Sequence, residues 1–347
     1  MSDDLRRLPK VVLHDHLDGG VRPGTLLELA PAVGYRDLPA NEPGELAKAL
    51  YQGEATSLEH YLDAFRHTFG VMQTPEAMRR VAFECIEDHA TEGVVYAEIR
   101  FAPSLHMRAG MTRWEAIQHV VLGVRDAEHE FGMASGVIVD ILRQDSDAIE
   151  VVDAAIAHAG QGVVAIDLAG PEAAYPPALF EEAIARGRQG GLRVTIHAGE
   201  GAGVASIEGA LAIGAERLGH GARLIEDTEV VDGEIAAMGP VASEVHRRRI
   251  ALELCPTSNL HTRMYPTAAE HPIGMLYRAG FAVTVNTDNR LMSGTTMTDE
   301  FTLLADHHGF GRADFHAVTR NAIEAAFCAD ETRVRVTASI DAGYGSG

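Results

Sequence analysis

Residues 162–198, GVVAIDLAGPEAAYPPALFEEAIARGRQGGLRVTIHA, contain one complete strand–helix–strand unit. The runs GVVAIDLA (162–169) and LRVTIHA (192–198) have the unbroken apolar character of strands that are buried on both faces, as in a parallel sheet. Between them, PALFEEAIARGRQGG (177–191) has a helical pattern, and its glycine pair ends the helix directly before the second strand. The segment therefore predicts two parallel strands joined by a helix.

Strand-like runs of the same kind occur along the whole chain. Six more are VVLH (11–14), VVYAEIRF (94–101), GVIVDIL (136–142), ERLGHG (216–221), IALELC (250–255) and FAVTVNT (281–287). Eight strands that alternate with helices predict an α/β fold, a (β/α)8 TIM-type barrel, rather than an open sheet. Residues 1–342 are expected to form this single domain, with a flexible tail at 343–347.

The connection between the first two predicted strands is too long for one crossover helix. Residues 19–93 are therefore expected to hold an insertion of several helices. Within it, apolar side chains recur at helical spacing: Leu58, Tyr61, Leu62, Phe65 and Phe69. Such a stripe is typical of an amphipathic helix packed on the barrel. The alternative is an apolar lid over a pocket.

The composition excludes several classes of protein. Of 347 residues, 29 are Lys or Arg and 50 are Asp or Glu, which gives a formal net charge of −21. This balance argues against partners such as nucleic acid or an anionic membrane, because both require basic patches. The three cysteines fit no disulfide framework, and the chain shows neither a signal peptide nor a membrane-spanning run. A cytoplasmic protein with reduced thiols is expected.

Lysine is almost absent, and this restricts the chemistry. The chain has only Lys10 and Lys48, and neither lies in a segment expected to form a pocket. Schiff-base aldolases and pyridoxal-phosphate enzymes need a lysine in the pocket, so both classes are disfavoured. A pair of metal ions bridged by a modified lysine at a strand end is disfavoured for the same reason, and one metal ion per chain is expected.

Histidines and acids end several predicted strands, where the catalytic side chains of a TIM-type barrel lie. His14 and His16 are two residues apart, so they project from a strand to the same side and can bind one cation. His197 and Asp288 end two other strands. Three imidazoles and a carboxylate, with one position left for water, form a coherent catalytic zinc site, and iron or manganese accept the same ligand types.

Two further rim residues are candidates for proton transfer. His220 lies between two glycines, which leave room at a crowded rim, and it could orient a metal-bound water and take its proton. A structural histidine is the alternative. Glu200 follows His197 by three residues. It could be a general acid that burial keeps protonated, or an acid at the start of a helix, where acids are favoured.

In combination, six motifs resemble those of the adenosine deaminase family of metal-dependent barrel hydrolases. In chain order they are LHDHLDG (13–19), IDLAGPE (166–172), HAGEG (197–201), ERLGHG (216–221), LCPTSN (254–259) and NTDN (286–289). The resemblance extends from about Leu8 to Asp330. It implies that zinc is the cofactor and that residues 57–69 form the family's apolar lid.

The resemblance also implies a role for each candidate side chain. Its residues divide into zinc ligands, a water-binding histidine, a proton donor to purine N1 and substrate contacts. The zinc ligands would be His14, His16, His197 and Asp288. His220 would orient the attacking water, and Glu200 would donate a proton to N1. The Gly170 N–H would donate to ring N3, and Asp18 together with His16 would face the ribose 5′-hydroxyl. Protonation at N1 makes C6 electrophilic, water adds there, and ammonia leaves.

Two positions depart from the common family pattern. Many members have a second aspartate facing ring N7, where this chain has Asn289. An amide can donate to unprotonated N7, so purine binding is retained while the choice among aminopurines stays open. Asp15 lies between two proposed ligands, and its side chain is expected to point away from the metal.

Deamination of adenosine and 2′-deoxyadenosine to the inosine nucleosides, in purine salvage, is the leading functional hypothesis. Free adenine or a 5′-modified adenine nucleoside is the first alternative, although Asp18 favours a nucleoside. AMP is disfavoured because Arg290 is almost the only basic residue in the rim motifs. A zinc-containing binding protein without catalysis is a further alternative, but it would not need both Glu200 and His220.

Overall fold

The structure is a computed structural model that describes residues 2–345. Its strands are β1 (Lys10–His16), β2 (Val94–Phe101), β3 (Ala134–Leu142), β4 (Val163–Ala169), β5 (Arg193–Ala198), β6 (Arg217–His220), β7 (Thr228–Val231), β8 (Glu234–Met238), β9 (Ala251–Leu254) and β10 (Val283–Val285). Each of the eight predicted runs overlaps one strand of the main sheet, and β1 and β3 extend beyond their predicted runs.

The α-helices before β6 are α1 (Ser2–Arg7), α2 (Pro23–Leu29), α3 (Pro43–Leu50), α4 (Leu58–Leu62), α5 (Phe65–Val71), α6 (Pro75–Thr91), α7 (Arg113–Phe131), α8 (Ala148–Ile156), α9 (Glu181–Gln189) and α10 (Val204–Ala212). Those after it are α11 (Pro240–Arg248), α12 (Pro256–His261), α13 (Ile273–Arg278), α14 (Arg290–Ser293), α15 (Met297–His308), α16 (Arg312–Ala325) and α17 (Asp330–Gly345). Among the described residues, no helix is both long and apolar enough to cross a membrane.

Eight parallel strands form one sheet in the order β1-β2-β3-β4-β5-β6-β9-β10. The last strand returns to the first through a parallel bridge between Asp15 and Asp288. There the His16 amide donates to the Asp288 carbonyl over 2.7 Å, and the Asp288 amide donates to the His14 carbonyl over 3.0 Å. The predicted TIM-type barrel is confirmed, and its closure places Asp288 beside the end of β1.

The barrel interior is charged rather than aliphatic. Arg100 on β2 donates to Asp167 over 2.6 Å and to Glu253 over 2.7 Å, and Arg217 on β6 donates to Glu253 over 2.6 Å. All four side chains are buried. Buried charges of this kind require partners, and the network supplies them across the barrel. Apolar residues of the strands and helices pack together in one core cluster.

Several helices occupy the connection between β1 and β2, as the length of this segment predicts. The apolar stripe is not one helix, because α4 ends at Leu62 and α5 begins at Phe65. A single amphipathic helix is therefore wrong for this segment. All five apolar residues of the stripe nevertheless line the same cavity at the barrel rim.

Two features differ from the sequence expectation. An antiparallel hairpin, β7–β8, follows β6, and its turn residues Asp232 and Gly233 have φ of 51° and 77°. An Asp-Gly pair favours such a turn, so the sequence carried a signal for it. The last helix extends to Gly345 because Tyr344 is buried and donates to the Pro9 carbonyl over 3.1 Å. Residues 343–345 are thus helical rather than a tail, and 346–347 lie outside the described residues.

Candidate active site

Four imidazoles and one carboxylate meet at the C-terminal rim of the barrel. His14 and His197 have ring centroids 4.6 Å apart, and His14 and His220 have theirs 4.8 Å apart. His16 Nε2 lies 3.3 Å from His197 Nε2 and 3.4 Å from Asp288 Oδ1. The fold therefore brings together every predicted metal ligand and the predicted water-binding histidine.

The backbone is strained at two of these residues. His220 has φ of 57° and Asp288 has φ of 59°, in the left-handed region that residues other than glycine rarely adopt. Strain of this kind is concentrated at functional sites. Beside His220, a Cβ on Gly219 would lie 3.0 Å from His197 Cα and 3.2 Å from His14 Cε1. The glycine therefore makes the room that the sequence argument expected.

Three of the four histidines face a buried carboxylate with Nδ1. The pairs are His14 with Glu253 at 2.9 Å, His16 with Asp140 at 3.3 Å, and His197 with Asp167 at 2.8 Å. A carboxylate accepts a hydrogen bond from an Nδ1–H, and this tautomer leaves the Nε2 lone pair available at the centre of the site. Carboxylate–histidine pairs of this kind orient the ligands of metal ions.

The atoms at the centre of the site fit a divalent cation. His14, His197, His220 and Asp288 each offer a ligand atom, and these atoms lie within 4.8 Å of one another. His14 Nε2 is buried and has no hydrogen-bond partner among the described residues. Orphaned buried polar atoms are costly, and a bound cation would satisfy this one. Distance alone does not decide whether His16 or His220 completes the ligand set.

Burial and charge shift the protonation of this cluster in different directions. Burial lowers the pKa of His197 and, further, that of His220. Burial also opposes the charged form of His16, but the hydrogen bond and charge of Asp140 outweigh it and raise its pKa to about 9. A cation at Nε2 would take the place of that proton.

A buried carboxylate holds the turn that carries Glu200. Glu172 accepts hydrogen bonds from the amides of residues 199–202, over 2.6, 3.0, 2.7 and 3.1 Å. Glu200 is itself buried, and its Oε2 lies 3.5 Å from His220 Nε2. Burial raises the pKa of Glu200 well above its usual value, and the charges of Asp288 and Glu172 raise it further.

Helix α10 begins at Val204, and Gly203 is its N-cap residue. Glu200 therefore lies before the helix rather than in its first turn. The interpretation of Glu200 as an acid that stabilises a helix start has no support in this geometry. Its side chain instead lines the rim cavity beside His220.

The rim cavity has a volume of about 260 Å³, with a polar floor and an apolar roof. The floor includes His16, Asp18, Glu200, Asp288 and Asn289, and the roof is the apolar stripe of α4 and α5. None of the described residues that line the cavity is Lys or Arg. The cavity therefore suits a neutral, flat molecule better than a phosphate ester.

Each predicted substrate contact reaches this cavity. Burial raises the pKa of Asp18 to about 6, with the charge of Asp140 adding to it and His16 opposing it. Gly170 has φ of 100°, a backbone conformation that favours glycine, and a Cβ there would lie 2.5 Å from Gln144 Oε1. Asn289 is buried, and its Oδ1 has no hydrogen-bond partner among the described residues.

Asp15 points away from the site, as the sequence argument expects. It accepts from Thr287 Oγ1 over 2.7 Å, and Arg290 Nε lies 3.2 Å from it. Arg290 also donates to Asp88 over 2.8 Å. Arg290 is thus paired with two carboxylates and does not line the cavity.

The sequence argument missed the residues that support the rim side chains. These residues are Asp140, Asp167, Glu172, Glu253 and Asn259. Three of them carry a detectable signal, because a charge inside an otherwise apolar strand must point to a polar partner. Glu172 and Asn259 lie outside the strands and carry no such signal.

A parallel barrel with imidazoles and carboxylates gathered at its C-terminal rim defines a hydrolase of the amidohydrolase type. The family model described as "Adenosine deaminase" matches residues 9–343. An adenosine deaminase of Mycobacterium ulcerans is 46% identical over 342 residues, which cover 96% of this chain and 94% of that protein. The chain belongs to the adenosine deaminase family, and it is an enzyme that hydrolyses C–N bonds.

Solved structures with the same fold carry related names. An adenine deaminase of Arthrobacter aurescens matches with a TM-score of 0.85 and 28% identity, over 98% of this chain and all of that one. A Burkholderia ambifaria amidohydrolase with bound zinc has a TM-score of 0.86 and 28% identity, over 99% of this chain and 92% of that one. An Arabidopsis thaliana N6-methyl-AMP deaminase has a TM-score of 0.81 and 26% identity, over 99% of this chain and 98% of that one.

Proposed function

We propose that this protein deaminates adenosine and 2′-deoxyadenosine to the inosine nucleosides and ammonia, in purine salvage. The observation that carries the proposal is the buried Glu200, which faces His220 and Asp288 beneath an apolar roof. A carboxyl that burial keeps protonated can donate to a purine ring nitrogen, which a carboxylate cannot do. The similarity to named adenosine deaminases supports the same substrate.

One zinc ion per chain is proposed as the cofactor, held by His14, His16, His197 and Asp288. When bound, it would supply Lewis-acid chemistry and lower the pKa of a water at the rim. Glu200 donates its proton to N1, which makes C6 electrophilic, and His220 orients the water that adds to C6. The two protons of that water leave as its oxygen becomes the C6 carbonyl. One goes to the amine, so that the C6–N bond breaks and ammonia leaves, and the other returns to Glu200. The apolar roof excludes bulk water from these steps.

The remaining contacts orient the nucleoside. The Gly170 N–H donates to ring N3, and the Asn289 amide donates to N7. Asp18 binds the ribose 5′-hydroxyl, and His16 faces it. The similarity to an adenine deaminase makes free adenine the second candidate substrate. The buried Asp18 favours the nucleoside, because free adenine has no 5′-hydroxyl for this carboxyl to bind.

Protein purified without added zinc is expected to contain about one zinc ion per chain, because three imidazoles and one carboxylate define a single site. Elemental analysis of the purified protein tests this directly. His14→Ala should lose the metal, whereas His106→Ala should keep it, because His106 is buried beside the Met72 carbonyl and outside the site. Two tightly held ions, or full activity in metal-free protein, would contradict the proposal.

Adenosine is expected to react far faster than AMP, because no described Lys or Arg lines the cavity to pair with a phosphate. A substrate panel of adenosine, 2′-deoxyadenosine, AMP, adenine and a 5′-extended nucleoside, followed at the purine absorbance band, measures the order. A faster reaction with AMP would contradict the proposal that the rim cavity binds a neutral nucleoside. If only adenine reacts, the proposed deamination chemistry stands and the proposed substrate is wrong. If nucleosides bind without turnover, the protein is a zinc-containing binding protein.

A further inference from the structure

A continuous chain of hydrogen bonds runs behind the rim from the backbone to His220. The Ile273 amide lies 3.2 Å from His271 Nδ1, and His271 Nε2 lies 3.0 Å from Asn259 Oδ1. Asn259 Nδ2 then lies 2.9 Å from His220 Nδ1. All three side chains are almost completely buried, so water does not compete for these contacts.

Each link in this chain allows one direction of donation. A backbone N–H can only donate, so His271 Nδ1 accepts and a neutral His271 carries its proton on Nε2. Burial lowers the pKa of His271 to about 3, and the charge of His308 lowers it further, which agrees with a neutral ring. His271 therefore donates to Asn259 Oδ1, which turns the amide –NH₂ toward His220.

We propose that Asn259 and His271 are positioning residues that place the proton of His220 on Nε2, opposite to the other three histidines of the rim. His220 Nδ1 faces an amide donor, so it accepts, whereas the Nδ1 atoms of His14, His16 and His197 face carboxylates, which favour a proton on that nitrogen. The partner of Nδ1 thus determines which nitrogen carries the proton.

This arrangement separates the metal ligands from the water-binding histidine. An Nε2–H has no lone pair for a cation, so His220 is excluded from the ligand set and His16 completes it. His220 instead donates to the oxygen of the attacking water. It cannot take the water's proton at Nε2, which differs from the expectation that the sequence raised. Only this water-binding role rests on the proposed function; the proton position does not.

The proton positions can be read by ¹H–¹⁵N correlation spectroscopy of the enzyme with ¹⁵N-labelled histidine, in the zinc-loaded and the metal-free states. A His220→Gln sample identifies the His220 signals by their absence. The expected spectrum shows a protonated Nε2 and an unprotonated Nδ1 for His220, and the reverse for His14 and His197. A proton on His220 Nδ1, or a doubly protonated ring, would overturn the proposal whether or not adenosine is the substrate.

Asn259→Asp tests the cause of this arrangement. A carboxylate would accept from His220 Nδ1, so the proton should move to that nitrogen, and kcat should fall about 10- to 100-fold, the range for partners that orient site residues. KM should change little. Unchanged His220 signals in the folded variant would show that Asn259 does not set the proton.

Asn286→Asp is the matched control, because Asn286 is also buried but donates to Thr284 Oγ1 and the Leu254 carbonyl, outside the chain to His220. It measures the cost of burying a carboxylate at the end of a neighbouring strand. Both variants should unfold more easily than the parent, while the His220 signals should change only in Asn259→Asp. Equal changes of those signals in both variants would reject a specific role for Asn259.

Discussion

The Glu200→Gln enzyme is expected to lose about 10²-fold or more in kcat, the usual scale for the loss of a general acid. Glutamine keeps the size of the side chain and a hydrogen-bond donor, but it has no acidic proton to transfer to N1. Glu200 is buried, so the neutral amide should fit without loss of structure. The variant should fold, retain its metal and bind purine nucleosides.

Steady-state kinetics on metal-loaded protein measures this effect, with circular dichroism and elemental analysis as checks of folding and loading. Asp18→Asn is the comparison variant, since Asp18 also lines the cavity but is assigned to the ribose. It should mainly raise KM for nucleosides with a free 5′-hydroxyl, while Glu200→Gln should mainly lower kcat. A near-normal kcat in folded, loaded Glu200→Gln would remove Glu200 from the mechanism.

Glu253→Gln is expected to lower the free energy of unfolding by about 3–5 kcal/mol, the range for breaking a buried ion pair by removing one partner. Glu253 is completely buried and pairs with Arg100, Arg217 and His14. A neutral amide leaves part of that positive charge uncompensated. Because the same carboxylate orients His14, the metal affinity should also fall about 10- to 100-fold.

Urea unfolding and metal titration measure the two effects of Glu253→Gln separately. The control is Glu45→Gln, because Glu45 pairs with Lys48 on the surface, where both side chains are exposed. Exposed pairs contribute little, so this variant should unfold like the parent and bind metal normally. A Glu253→Gln protein with unchanged stability would show that the ionic network inside the barrel is dispensable.

The eight barrel strands could be predicted because a strand that is buried on both faces has a continuous run of apolar residues. The predicted run at 94–101 coincides with β2, and β4 is one residue shorter than the predicted run at 162–169. The break between α4 and α5 could not be predicted in this way, since the apolar spacing of the stripe continues across Asp63 and Ala64. Apolar periodicity reports which side is buried and says little about where a helix stops.

By itself, the sequence determined the barrel, the family, and the residue types that meet at the rim, because these depend on local patterns and on the rule that strand ends carry function. Only the tertiary structure shows the partners on which the proposed proton positions depend. His14 depends on Glu253 and His220 depends on Asn259, partners that are 239 and 39 residues away along the chain. The sequence alone does not distinguish these four histidines. Their hydrogen-bonding environments differ because the closed barrel places a carboxylate beside Nδ1 of three of them and an amide beside Nδ1 of the fourth.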